Sequence, residues 1–431
     1  MTILQSTETK PVHDQSILGS LGPGLITGAS DDDPSGVATY SQAGAKFGLG
    51  MLWITVFTIP LMVAIQEISA RIGRATGRGI AANLRRYYSA WISYPIIVLL
   101  ILANTINIGA DIGAMGAAVK MLIGGPGHVY SVLLAVVSLV LQIWIPYESY
   151  AKVLKWLTLT LLAYIGVIFA VHVPWAKVVR ATFLPPIHLD AAYLSLLVAV
   201  LGTTISPYLF FWQASLEVQE LKDHHSQHAL RRADDQEIHA QFRRIRIDTW
   251  VGMTFSNVVA FYIILTAAVT LHTQGITDIQ TADQAAAALK PIAGGFASLL
   301  FASGIVATGL LAVPVLAGAG AYGLGELLNW PTGLERKPRH AKGFYGIIAA
   351  ATLLGTGINF TRLDPIKALI YSALINGVVA VPIMVILMFM MRNPRIMGKL
   401  AGGSKSLWWF GWLATAVMAA AVIGMVATWG K

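Results

Sequence analysis

Stretches of about twenty apolar residues recur along the whole chain, separated by polar loops, the pattern of helices that cross a membrane. About eleven spans are predicted, near 18–46, 49–72, 93–123, 128–146, 152–172, 191–220, 247–272, 292–327, 343–360, 364–391 and 407–429. The first and sixth are long, and each holds a proline beside a cluster of polar residues. Proline removes a helical hydrogen bond, so each of these two is expected to consist of two half-helices. Residues 1–17 read as a polar cytoplasmic segment with no signal-peptide core, which leaves the first span as the membrane signal.

Composition agrees with an all-α polytopic membrane protein. Mean hydropathy is +0.66 and only 12% of residues are charged, against about 25% in soluble domains. A transmembrane barrel would alternate polar and apolar residues in segments of about ten. The net charge of +9 would suit nucleic acid if it were spread over one surface. Instead the basic residues fall in alternate loops: Arg71–Arg86, Lys222–Arg246, Arg336–Lys342 and Arg392–Lys405. That excess marks cytoplasmic loops. No nucleic-acid partner is expected, the amino terminus is placed in the cytoplasm, and an eleventh span puts Lys431 outside. The chain has no cysteine, hence no disulfide or thiolate chemistry.

Candidate chemistry concentrates at the two breaks. Asp31, Asp32 and Asp33 run into Pro34-Ser35-Gly36 inside an apolar stretch. A carboxylate within a span costs about 2.5 kcal/mol or more and is kept where it faces a polar cavity or a ligand. The broken helix frees backbone carbonyls beside it. In the sixth span, Gly202-Thr203-Thr204-Ile205-Ser206-Pro207-Tyr208 sets hydroxyls around a second break. Breaks at corresponding places in two halves point to an inverted-repeat transporter with its site near the midplane. Pro207 read alone also fits a simple kink in a packed helix.

At these residues the chain resembles the natural resistance-associated macrophage protein (Nramp) family of divalent metal transporters. The likeness runs through Gly22-Pro23-Gly24, Asp33-Pro34-Ser35-Gly36, Ala38-Thr39, Gln42-Ala43-Gly44-Ala45, Ser69-Ala70-Arg71-Ile72-Gly73 and Ala75-Thr76-Gly77-Arg78. The resemblance implies a LeuT-type fold of two inverted five-helix repeats, here 18–172 and 191–391, with 392–431 as a loop and an eleventh span. It implies residence in the cytoplasmic (inner) membrane of a bacterium, among membrane lipids. It also implies a metal site of an aspartate and an asparagine from the first break, and a methionine side chain and an alanine carbonyl from the second.

Several positions depart from that pattern. Asp33 matches the aspartate, but Gly36 stands at the asparagine, Thr203 at the alanine, Ser206 at the methionine and Tyr208 at a histidine. These departures resemble the divergent Nramp-related magnesium transporters. The chemistry points the same way. A thioether favours softer transition metals, whereas a site of oxygens suits Mg2+, which sheds water reluctantly. Two lost ligands leave room for a partly hydrated ion. The expected cargo is therefore Mg2+, with Mn2+ and Al3+ also admitted, and no resident cofactor. Asp33 is expected to bind it directly or through water. Thr203 and residues beside the breaks supply carbonyls, while Ser206, Tyr208 and Asp32 line the cavity. Asp31 is open between an acidic vestibule and an N-cap for the following half-helix.

In the family a titratable pair in the third span carries protons. Here Asp111 aligns with the second acid, while the first falls at Ile108 or Asn107. Tyr208 and Gln213 replace two histidines, and neither titrates near neutrality. Coupling to protons is expected to be weak or absent. Asp111 also fits a structural pairing with a basic or hydroxyl neighbour. Glu67 and Arg71 read as an i,i+4 pair. Ser372 and Asn376 share a face and suit either the pathway or helix–helix bonding. Gly109, Gly113 and Gly116 permit close helix packing. The segment His224-His225-Ser226-Gln227-His228 with Asp234, Asp235, Glu237 and His239 fits a solvated loop or surface helix better than a metal site.

Three functions compete with the leading one: a proton-coupled Mn2+/Fe2+ transporter, an organic-solute transporter of the same fold, and a membrane metal sensor that does not transport. A carboxylate-bearing solute would be repelled by Asp33. No nucleophile–base constellation, phosphate loop or His-Glu metal motif lies in the spans, so no enzyme is expected.

Overall fold

A computed structural model describes residues 22–145, 159–223, 229–361 and 363–429, which are helical and contain no strand. The predicted residues His224, His225 and His228, the amino-terminal segment 1–17 and the first part of the fifth span lie outside the described residues. The helices are α1 (Pro23–Ala29), α2 (Pro34–Phe47), α3 (Leu52–Thr76), α4 (Ile80–Tyr87), α5 (Ala90–Ile123) and α6 (Gly127–Trp144). Next come α7 (Ala163–Ala170), α8 (Trp175–Phe183), α9 (Ala191–Thr204), α10 (Pro207–Asp223) and α11 (Asp235–Thr270). Short turns then lead into α12 (Ala297–Leu328), α13 (Lys342–Gly357), α14 (Pro365–Arg392) and α15 (Lys405–Thr428). Among the described residues nine helical stretches are long and apolar enough to cross a membrane, with α2 and α3 joined in one of them. The protein is an integral membrane protein.

Both expected breaks are present. α1 ends at Ala29 and α2 starts at Pro34; α9 ends at Thr204 and α10 starts at Pro207. Each proline is the first residue of its half-helix, where no backbone N–H is needed. Pro60, Pro95, Pro314 and Pro382 instead lie inside continuous helices. The seventh span begins twelve residues before its apolar stretch, because Asp234 accepts from the Glu237 N–H at 2.8 Å and caps a polar first turn. Of the segment read as a solvated loop or surface helix, Asp234, Asp235 and His239 are exposed and Glu237 is half-buried at the start of α11.

The broken helices are the center of the bundle. α1 and α2 both pack on α11; α9 packs on α14, and α5 runs against α12, α13 and α14. Two contacts are close enough to require glycine. A Cβ on Gly28 would overlap the Gly252 backbone, and one on Gly252 would overlap Gly24. Gly109 likewise lies on the Gly355 backbone, as close helix packing predicts. Gly28→Val is expected to cost about 1–3 kcal/mol by overpacking, read as a lower melting temperature in detergent.

Candidate functional site

Asp33 is held as the N-cap of α2. Its Oδ1 accepts from the Gly36 N–H at 2.7 Å and from the Ser35 hydroxyl at 2.7 Å. Its Oδ2 accepts from the Asn107 amide of α5 at 3.1 Å. Capping falls to Asp33 and not to Asp31, because the residue before Pro34 must be extended and Asp33 has φ −74° and ψ 170°. A Cβ on Gly36 would stand 3.2 Å from the Tyr40 ring, so Tyr40 fills the space that a side chain at 36 would take.

At the second break, the Ser206 hydroxyl lies 2.7 Å from the carbonyl oxygens of both Gly202 and Thr203. Pro207 has no N–H for the Thr203 carbonyl, and the hydroxyl can serve it or the Gly202 carbonyl at the open end of α9. The Thr203 hydroxyl bonds Tyr40 at 3.0 Å and its own helix at Val200. The Tyr208 hydroxyl donates to the Ser30 carbonyl at 3.2 Å. Two hydrogen bonds, Thr203–Tyr40 and Tyr208–Ser30, thus join the breaks directly. Asp32, Asp33, Gly36, Thr203, Ser206 and Tyr208 are all buried there.

Asp31 and Asp32 turn to α11, where the Ser256 hydroxyl is the donor within reach of both. The remaining Asp31 oxygen, Oδ1, is buried with no hydrogen-bond partner among the described residues. Asn107 spans two acids, donating to Asp33 and, at 3.0 Å, to Asp111. Its carbonyl accepts from Asn376 of α14 at 2.8 Å. Asp111 was expected beside a basic or hydroxyl group; its partner is an amide, already shared with Asp33. Asn376 reaches the site, whereas Ser372 bonds within its own helix. Ser256 and Tyr40 are residues of this cluster that the sequence reading did not single out, and Asn107 was singled out only as a position where an acid is missing.

Asp31, Asp32, Asp33 and Asp111 are at most 5% exposed. Among the described residues none of them has a Lys, Arg or His within ion-pair distance. Burying an ionised carboxylate without a counter-charge costs several kcal/mol, a cost relieved either by taking up a proton or by pairing with a cation. The acids do not converge on one point: among the described residues no three His, Asp or Glu side chains are placed to hold an ion together. An ion here would need backbone and hydroxyl oxygens as well.

The end of the molecule that carries the basic loops is clamped. Asp248 of α11 accepts from the backbone N–H groups of Gly22, Gly24 and Leu25 at 3.0, 2.6 and 3.0 Å, capping α1 from a neighbouring helix. Arg244 pairs with Glu217 at 2.7 Å and Glu220 at 3.0 Å. Glu67 and Arg71 form the predicted pair, which Arg246 joins. At the opposite end, a cavity of about 240 Å³ is lined by Gln42, Lys46, Asp278 and Lys367.

Two apposed helix breaks with buried acid between them define a membrane protein of the broken-helix, inverted-repeat class. A model of natural resistance-associated macrophage protein-like chains matches residues 24–428, and the chain belongs to the Nramp family. It is 25% identical to the divalent metal cation transporter MntH of Pectobacterium carotovorum over 90% of this chain and 89% of that one. With the MntH of Klebsiella pneumoniae it shares 26% over 93% and 92%. The manganese transporter of Eremococcus coleocola has the same fold, with TM-score 0.74 and 18% identity over 97% of this chain and 90% of that one. Mhp1, a nucleobase-cation-symport-1 family transporter, is similar at TM-score 0.56 and 15% identity over 95% and 90%. The fold is of the LeuT type.

Proposed function

We propose that the protein carries divalent metal cations across the cytoplasmic membrane by alternating access, with Mg2+ the preferred cargo and Mn2+ also accepted. The observation that carries this reading is the donor set at the joined breaks: carboxylate, hydroxyl and carbonyl oxygens, with Ser206 where the family has a thioether. Hard Mg2+ takes such oxygens, and a softer thioether would favour transition metals. Asp33 supplies the charge, directly or through water. The Thr203 carbonyl keeps a second lone pair beside its bond from Ser206. Ser206, Tyr208 and Asp32 line the cavity, and Gly36 adds no ligand, since Tyr40 takes the space beside it. The excess of basic residues in alternate loops favours a cytoplasmic position for the clamped end, with the amino terminus inside and Lys431 on the far side, both outside the described residues.

Transport is driven by the ion gradient and membrane potential with little or no proton coupling, because Ile108 or Asn107, Tyr208 and Gln213 stand where the family has titrating groups. Liposomes loaded with a pH dye are expected to show Mg2+ influx without acidification; acidification that tracks the metal would overturn this part of the reading. Ser206→Met restores a thioether and is expected to raise Mn2+ uptake relative to Mg2+. An unchanged ratio would show that position 206 does not set selectivity.

A further inference from the structure

A second cavity, of about 370 Å³, opens at the basic-loop end, away from the two breaks. Arg78, Arg85, Arg86 and Lys222 line it. Among the described residues none of the four has a carboxylate within ion-pair distance. The excess of basic residues in cytoplasmic loops accounts for their number, but not for their convergence on one recess. Arg85 is directed by the Asn329 side chain, which accepts from its Nη2 at 2.9 Å. Asn329 has φ 61° because it closes the end of α12, its N–H bonded to the Gly325 and Glu326 carbonyls, which fixes its side chain beside the recess. Burial lowers the Arg78 pKa from its ordinary value, and the neighbouring Arg86, Arg231 and Arg85 charges lower it further.

The cavity also contains Glu326, whose carboxylate accepts from the Ala82 N–H at 3.1 Å and so serves the first turn of α4. One acid against four cations leaves a net positive recess. Its volume lies in the range of small-ligand sites. Guanidinium forks match phosphate oxygens in pairs, and Lys adds a point charge. We propose that this cavity binds a phosphate-bearing anion, free in solution or as the headgroup of an anionic lipid. The ligand would bridge the link from α3 to α4 and the end of α10, the half-helix that follows the second break. It would thereby favour the arrangement in which α10 is seated.

The test uses the full chain in nanodiscs, in buffer free of divalent cations, with wild type beside the double variant Arg78→Gln/Arg86→Gln. Both side chains reach solvent, and equal melting temperatures in phosphatidylcholine discs check the fold. Lys222→Gln, on another helix, is the second variant. Titration of pyrophosphate into phosphatidylcholine discs is expected to show saturable binding, weakened about tenfold or more by either variant. If the ligand is a lipid, pyrophosphate binds no better to wild type than to the variants. In that case phosphatidylglycerol discs raise the melting temperature of the wild type alone. Absence of both effects, or effects equal in wild type and variants, overturns the proposal.

Discussion

Asp33→Ala is expected to abolish divalent-cation uptake into proteoliposomes, the largest loss of any single substitution. The carboxylate is the one side chain that carries negative charge, caps α2 and touches the α5 amide network at once. Losing the cap alone costs about 0.5–2 kcal/mol, so the alanine variant is also expected to melt earlier. Asp33→Asn separates the two effects. Asparagine is an equally good cap, and its carbonyl can still accept from Gly36 and Ser35. Its amide would face the Asn107 amide, donor to donor, a local cost of about 1–3 kcal/mol. The asparagine variant should therefore fold and be inactive. Retained flux in a folded Asp33→Asn variant would mean that the charge at 33 is not what holds the ion.

Asp248→Ala is expected to release α1 at the basic-loop end. Three backbone N–H groups lose a carboxylate acceptor, and hydrogen bonds to charged groups are worth about 1.5–3 kcal/mol each. A net loss on the order of 3 kcal/mol would shift the balance between seated and lifted α1 by about a hundredfold. The chain has no cysteine, so Thr249→Cys gives a single reporter. Thr249 is fully buried, and its backbone lies against Gly24. Thiol labelling there should be slow in the otherwise wild-type chain and fast with Asp248→Ala. Asp248→Asn, which keeps one acceptor oxygen, should fall between. Equal labelling in all three would show that Asp248 does not hold α1 down.

The breaks were legible in the sequence because each proline arrived with polar neighbours. Proline alone was no signal, as Pro60 and Pro382 show by sitting in unbroken helices. The Glu67–Arg71 pair and the glycine contacts of α5 were also legible, since helical spacing dictates them. What pairs across the fold was not. Ser256 meets Asp31 across 225 residues, and Tyr40 meets Thr203 across 163, with no periodicity to announce either. Asp111 read either as the second acid of the coupling pair or as one paired with a basic or hydroxyl neighbour; its partner is the Asn107 amide, one helical turn away and already beside Asp33. Asp248 could have been found: an acid at the head of an apolar span is itself a sign of a buried partner. That partner is backbone, the free N–H groups of a helix only seven residues long, which no side-chain pattern reveals.

The most direct measurement is Mg2+ influx beside Mn2+ influx into wild-type proteoliposomes, at fixed membrane potential and with internal pH recorded. The account predicts Mg2+ influx that rises with an inside-negative potential, is reduced by competing Mn2+ and leaves internal pH unchanged. Mn2+ influx without Mg2+ influx would contradict it, because an oxygen-only site at Asp33, Thr203 and Ser206 would then have failed to select the harder ion.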